Sequence, residues 1–222
     1  MEIAMRAGFL AGLVLALAFL ARPAAADPAD VLYNAERTVA DMRSDPTFGP
    51  SRQLLANARA VLIVPQLVKG GFIFGAEGGN GVLLQRNGRG WSEPAFYTIG
   101  SASFGLQIGL EAARFVMFIM SDRALRAVEQ NKFTFGGAAG LTVITVGANA
   151  RGATGTNLTG DIIVWASTKG AYGGLTLEGS VLAPKPEWNA QFYGQPVTVR
   201  GILAGQVRNP AAAPLRHELL AT

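Results

Sequence analysis

Along this chain the spacing of apolar positions changes twice, and each change marks a change of element. In residues 30–42, DVLYNAERTVADM, the side chains Leu32, Ala35, Val39 and Met42 share one face while Glu36, Arg37 and Asp41 lie on others, the spacing of an amphipathic helix. Ser44-Asp45-Pro46 ends it. A second short helix is predicted over 50–58, with Pro50 in the first turn, where its missing N–H does no harm. The period then shortens. AVLIV at 60–64 reads as a buried strand ended by Pro65. Asn87-Gly88 lies between VLLQ and the segment around Trp91, and both turn residues tolerate positive φ, which predicts a hairpin.

Further strands are predicted at 101–109 and 114–120. Ser121-Asp122 then caps a helix running to about Gln130, with Ala124, Leu125 and Val128 facing inward. Strand patterns return in KFTFGG, LTVITVGANA, DIIVWAS and GGLTLEGSVLA, followed by a short helical or irregular PEWNAQFYG. The fold class expected is α+β and β-rich: antiparallel strands curled into a barrel-like sheet with a few packed helices.

Composition changes this picture mainly at the ends. Arg6 precedes an apolar run from 7 to 21, and Ala24-Ala25-Ala26 precedes Asp27, the parts of a secretory signal peptide. An uncleaved anchor is the alternative, although the run is shorter than the ~20 residues a spanning helix prefers. The expected organisation is a signal peptide at 1–26, a folded domain at 27–205 and a flexible Ala/Pro-rich tail at 206–222. Export implies a periplasmic or secreted protein, with peripheral attachment to the outer membrane as one form of it.

Half of the residues are hydrophobic and 15% are charged, with a formal net charge of +4. That balance excludes a disordered chain and permits attraction to acidic surfaces. In an exported protein such a surface is phospholipid or lipopolysaccharide; nucleic acid is not an expected partner.

The residues offer little for covalent chemistry. Cysteine is absent, which removes thiol nucleophiles, Cys-metal sites and disulfides, and His217 is the one imidazole. Lys169 after Ser167-Thr168 reads as a solvated turn charge. The carboxylates are scattered; Glu111 and Glu178, beside apolar strand residues, read as hydrogen-bonded carboxylates near Gly-rich backbone. Arg114 is expected to pair with Glu111. The glycines of 70–81 lack the Lys of a phosphate-binding loop and precede a strand, so they read as sheet curvature or close backbone packing. No enzyme and no cofactor is expected.

Lys69, Arg86, Arg89 and Lys169 each fall at a predicted turn, so some of them could share one rim. With the apolar residues Val31, Leu32 and Val39 they form the expected lipid-contacting set.

The string GGFIFGAEGGNGVLLQRNGRGWSEPAFYTIGSASFGLQIGLE, followed by FTFGGAAG, STKGAYGGLTLEGSVL and N-x-x-FYG at 189–194, resembles the SYLF domain, also called the Ysc84-type actin-binding domain. Its members include bacterial exported proteins and eukaryotic membrane-traffic proteins. The resemblance spans about residues 30–205. It implies lipid binding, notably of phosphoinositides in eukaryotic members, and actin binding in fungal ones.

In some members an N-terminal amphipathic helix meets the membrane; residues 30–42 match that position with mixed charge. Where the family often carries an acid soon after G-x-E, this chain has Ala112-Ala113-Arg114. The reading is therefore an exported lipid-binding module for phospholipid or anionic membrane surfaces, for which actin is not an expected partner. An envelope structural or protein-interaction module is the alternative, and an integral outer-membrane barrel is disfavoured by the intervening helices.

Overall fold

The computed structural model describes residues 27–45, 48–49, 51–71, 74–104, 109–130, 133–136, 141–146, 160–169 and 177–220. The predicted signal segment lies outside the described residues.

Helix α1 (Pro28–Ser44) begins where Asp27 caps it, its carboxylate accepting from Ala29 N–H at 2.9 Å. Its stripe Val31, Leu32, Ala35, Val39 and Met42 is buried. Helix α2 (Ser51–Asn57) follows and leads into the central strand β1 (Ala60–Gly71). Then come β2 (Phe74–Asn87), β3 (Gly90–Trp91), β4 (Ala95–Phe104) and β5 (Gly109–Ile119), helix α3 (Asp122–Val128), and strands β6 (Phe133–Thr134), β7 (Val143–Val146), β8 (Ile162–Lys169) and β9 (Val181–Pro184). Helices α4 (Pro186–Tyr193), α5 (Val199–Leu203) and α6 (Ala213–Glu218), with a 3-10 turn at Pro210–Ala212 before α6, complete the chain.

The strands form one curled, half-barrel sheet in the order β6-β9-β4-β2-β1-β5-β8-β7, with β3 paired to β2. The pairings are antiparallel except β7 with β8, which is parallel. Both faces are covered. On one, Leu62, Val64, Phe115, Met117 and Val164 pack with Leu125 of α3 and Ile202 of α5. On the other, Val61, Ile63, Phe118, Ile163 and Trp165 pack with α1, α2 and Leu215 of α6. This explains why 60–64 is an unbroken apolar run: a strand covered on both faces has no solvent side to mark with polar residues. The same cover leaves no lipid-facing strand surface along 60–64, 115–119 and 162–166, unlike a membrane barrel.

Two expectations are corrected. Pro65 does not end β1; the strand continues through a bulge, where the register with β2 shifts between Ile63 and Gln66 and that with β5 between Val64 and Leu67. The missing donor of Pro65 falls at the irregularity, where a ladder bond is lost in any case. The facing strand accommodates the bulge with glycine: a Cβ at Gly79 would stand 2.5 Å from Gln66 O, and one at Gly81 2.5 Å from Ile63 O.

The segment 206–222, expected as a flexible tail, is packed through residue 220. Leu215 and Leu219 are buried, Arg43 pairs with Glu218 at 3.0 Å, and Trp91 Nε1–H donates to Leu219 O at 3.3 Å. Its prolines sit in first turns, where they start helical segments instead of preventing them.

Candidate cationic rim at the hairpin end

The sheet has two ends, and register fixes what each holds. At one, Gln85, Ala60, Ile119 and Ile162 align across β2, β1, β5 and β8. The β2–β3 hairpin turns here, with Gly88 at φ 59. At the other end lie Gly70, Gly71 and Lys69. Lys69 stands opposite Glu77 on one side and Glu111 on the other, and Lys169 stands opposite Ala112.

The four predicted cations therefore divide between the two ends. Lys69 and Lys169 are at the glycine end, Arg86 and Arg89 at the hairpin end, separated by roughly 30 Å along β1 at about 3.3 Å per residue. Arg86 is committed to the fold: its guanidinium stacks on Trp91, 4.1 Å from the ring centroid, and donates to Leu55 O at the end of α2. Burial holds its pKa below the ordinary value. Arg89, on the turn, is exposed.

The apolar members of the predicted set are also placed elsewhere than expected. Val31 and Leu32 are buried, and Val39 is fully so, against the sheet. The outward side of α1 carries Asp30, Tyr33, Asn34, Arg37 and Asp41, with Arg37 over the Tyr33 ring at 5.9 Å. In this conformation the apolar face of α1 is core. Arg114 pairs with Asp41 of α1; the side chain of Glu111, its expected partner, lies outside the described ones.

What the hairpin end gathers instead is arginine from several elements. Arg59, before β1, pairs with Asp122 of α3 at 3.3 Å, and Arg123 pairs with Asp161 at 2.7 Å. Asp161 is held below the usual carboxylate range, first by the Ser121 hydroxyl, then by Thr142 N–H, with Arg123 adding to both. Ser121 also caps α3 through Ala124 N–H, as its position predicts.

Two further arginines make no ion pair among the described residues: Arg126 of α3 and Arg200 of α5. With Glu129 and Gln130 they line a pocket of about 450 Å³. Each is turned outward because its helix is fixed inward, by Ala124, Leu125 and Val128 on α3 and by Val199, Ile202 and Leu203 on α5. Tyr97 of β4 donates to Val128 O at 3.2 Å, and Asn87 of the hairpin donates to Leu203 O at 3.0 Å, tying both helices to the sheet. Burial, with the Glu129 charge adding to it, raises the Tyr97 phenol above its ordinary value.

A second cavity, about 390 Å³, lies between α1 and the bulge, lined by Asp30, Asn34, Gln66, Asn80 and neighbouring backbone. Its one charged lining residue is acidic, so its lining holds no cation to attract an anion. No group of three metal-ligating side chains occurs among the described residues, and none of their helices is long and apolar enough to cross a membrane.

The family profile Ysc84, described as Las17-binding protein actin regulator, matches residues 100–222. This chain belongs to the Ysc84 family. The Ysc84 match runs through the packed C-terminal segment, in accord with 206–220 being part of the domain. SH3 domain-containing YSC84-like protein 1 of Xenopus laevis is 30% identical over 188 residues, 83% of this chain and 56% of that protein. The Homo sapiens protein of that name is 31% identical over 169 residues, 75% and 49% of the two chains. Protein YSC84 of Saccharomyces cerevisiae is 31% identical over 164 residues, 72% and 35%. The chain thus spans about half or less of the length of most of these Ysc84 relatives.

Proposed function

We propose that this Ysc84 domain is an exported lipid-binding module, periplasmic or secreted, that attaches to phospholipid or other anionic membrane surfaces through the arginine rim at its hairpin end. The observation that carries the reading is that Arg126 and Arg200 line one pocket and that they and Arg89 of the hairpin turn are exposed and without ion pairs among the described residues. Each basic side chain near an anionic surface contributes about 1 kcal/mol, so a few give reversible, salt-sensitive attachment. The apolar face of α1 is used in packing, so attachment in this conformation is electrostatic.

Co-sedimentation of the purified protein with anionic vesicles tests this. Binding at low salt and release at high salt is expected; failure to bind anionic vesicles at low salt rejects the reading. The family's description as a Las17-binding regulator favours a protein-interaction module as the second reading. Capture of a stoichiometric protein partner from envelope extracts, with no vesicle binding, would select it.

A further inference from the structure

The charges around the pocket between α3 and α5 are specific enough to name a ligand pattern. Arg126 and Arg200 reach it from different helices, and Glu129 and Gln130 complete the lining. Arg126 and Glu129 are three apart at the end of α3, a spacing at which opposite charges often pair, yet none of the ion pairs among the described residues includes Arg126, Glu129 or Arg200. Two guanidiniums and one carboxylate therefore face one cavity with their charges unmatched. Guanidinium pairs most strongly with planar or tetrahedral oxyanions, often through two parallel hydrogen bonds. A carboxylate takes an ammonium. The volume, about 450 Å³, lies within the range of about 300–1,000 Å³ usual for small-molecule sites.

We propose that this pocket binds a phosphodiester headgroup that carries a carboxylate and a primary ammonium together, the charge pattern of a serine phospholipid. Phosphate and carboxylate meet Arg126 and Arg200, and the ammonium meets Glu129. The match is one to one: a ligand with two negative groups and one positive group answers a pocket with two positive groups and one negative. An ethanolamine headgroup leaves one arginine unanswered. A glycerol headgroup leaves one arginine and the carboxylate unanswered, and a choline headgroup has no N–H to offer Glu129.

The inference rests on the membrane-binding reading for the source of the ligand, but the pocket's selectivity is measurable without a bilayer. The full chain is titrated with soluble glycerophosphoserine, glycerophosphoethanolamine and glycerophosphoglycerol by calorimetry or by NMR of the arginine side chains. Glycerophosphoserine is expected to bind about tenfold more tightly than the ethanolamine compound, the value of one charge-assisted contact, and about a hundredfold more tightly than the glycerol compound, which lacks two. Arg126→Gln or Arg200→Gln should each cost about tenfold. Glu129→Gln should cut the preference over the glycerol compound about tenfold and leave that over the ethanolamine compound unchanged, with the fold intact, since the side chain lies at the surface.

Equal affinities for the three compounds, or a preference over the glycerol compound that Glu129→Gln leaves undiminished, overturns the proposal. Vesicles matched in anionic charge, with serine or glycerol phospholipid, then locate the source. Preference for the serine vesicles marks the lipid. A preference seen with soluble compounds alone keeps the pocket's chemistry and points to a free phosphoserine compound. Equal, salt-sensitive binding to both vesicles with no soluble discrimination rejects the pocket and leaves the rim standing.

Discussion

The two ends of this sheet both carry basic residues and use them differently. At the glycine end, the strand register sets Lys69 between two acidic positions, Glu77 and Glu111. There α1 lies over β1, β2 and β5, its stripe buried and its Asp41 engaged by Arg114. At the hairpin end the strands finish in short helices and turns. Arg59 and Arg123 are paired on the surface, while Arg89, Arg126 and Arg200 extend beyond the pairing. The contrast shows that the number of cations does not define an anion surface. What defines it is how many remain uncommitted once the fold has taken its share.

The first way to break this comparison is to release α1. Val39 is fully buried beneath it, and Val39→Asp places a carboxylate among Met42, Phe118 and Trp165 of the same core with no designed partner. A cost of about 4 kcal/mol is expected. A large fall in thermal midpoint confirms α1 as core; an unchanged midpoint would show that its apolar face is free for lipid after all.

Next in size is the contrast between the ends themselves. Neutralising Arg89, Arg126 and Arg200 together to Gln should weaken binding to anionic vesicles by about 3 kcal/mol, on the order of a hundredfold, at about 1 kcal/mol each. Lys69→Gln with Lys169→Gln should change it less than about threefold, because a balanced neighbourhood contributes little at a distance. The reverse ranking in co-sedimentation would move the binding surface to the glycine end.

Much of the scaffold could be read from the chain, because local rules and tertiary packing agree there. The α1 stripe, the Asn87-Gly88 hairpin and the Ser121 cap are each decided by a few residues and appear where predicted. Pro65 misled because its local effect is real but is absorbed by a bulge; the matching signal lay in the facing strand, at Gly79 and Gly81. The C-terminal segment misled by composition. Leu215 and Leu219, four apart after the capping residue Asn209, were the helical signal that Ala and Pro obscured.

Topology divides the four predicted cations between the two ends. Lys69 precedes the β1–β2 connection and Arg89 sits on the next turn, and successive turns of antiparallel neighbours fall at opposite ends. Arg126 and Arg200 were not singled out because they are far apart in sequence and meet only through α3 and α5. Their one sequence-level signal is an outward position on a short amphipathic helix, which many surface arginines share.

A smaller effect should separate the two ends by pH. Burial raises the Tyr97 and Tyr193 phenols above their ordinary value, with Glu129 adding at Tyr97 and Glu93 at Tyr193, where Arg216 opposes. Tyr193 donates to Pro94 O beside the Glu93–Arg216 pair towards the hairpin end, and Tyr97, paired with Gly81 at mid-sheet, donates to Val128 O behind the pocket.

Each contributes stability that is complete below the unfolded value of about 10 and is lost as pH rises above it, because the unfolded chain then releases protons that the folded one keeps. Stability should therefore fall with pH above about 10, and Tyr193→Phe should make that fall shallower while costing about 1 kcal/mol at neutral pH for the lost hydrogen bond. Hydrogen exchange resolves where the effect acts. Amides of α3 and of residues 91–97 should lose protection at alkaline pH before those at the Lys69 end of β1 and β5. Simultaneous loss at both ends would mean that the sheet opens as one unit and that its ends, however different in charge, do not differ in stability.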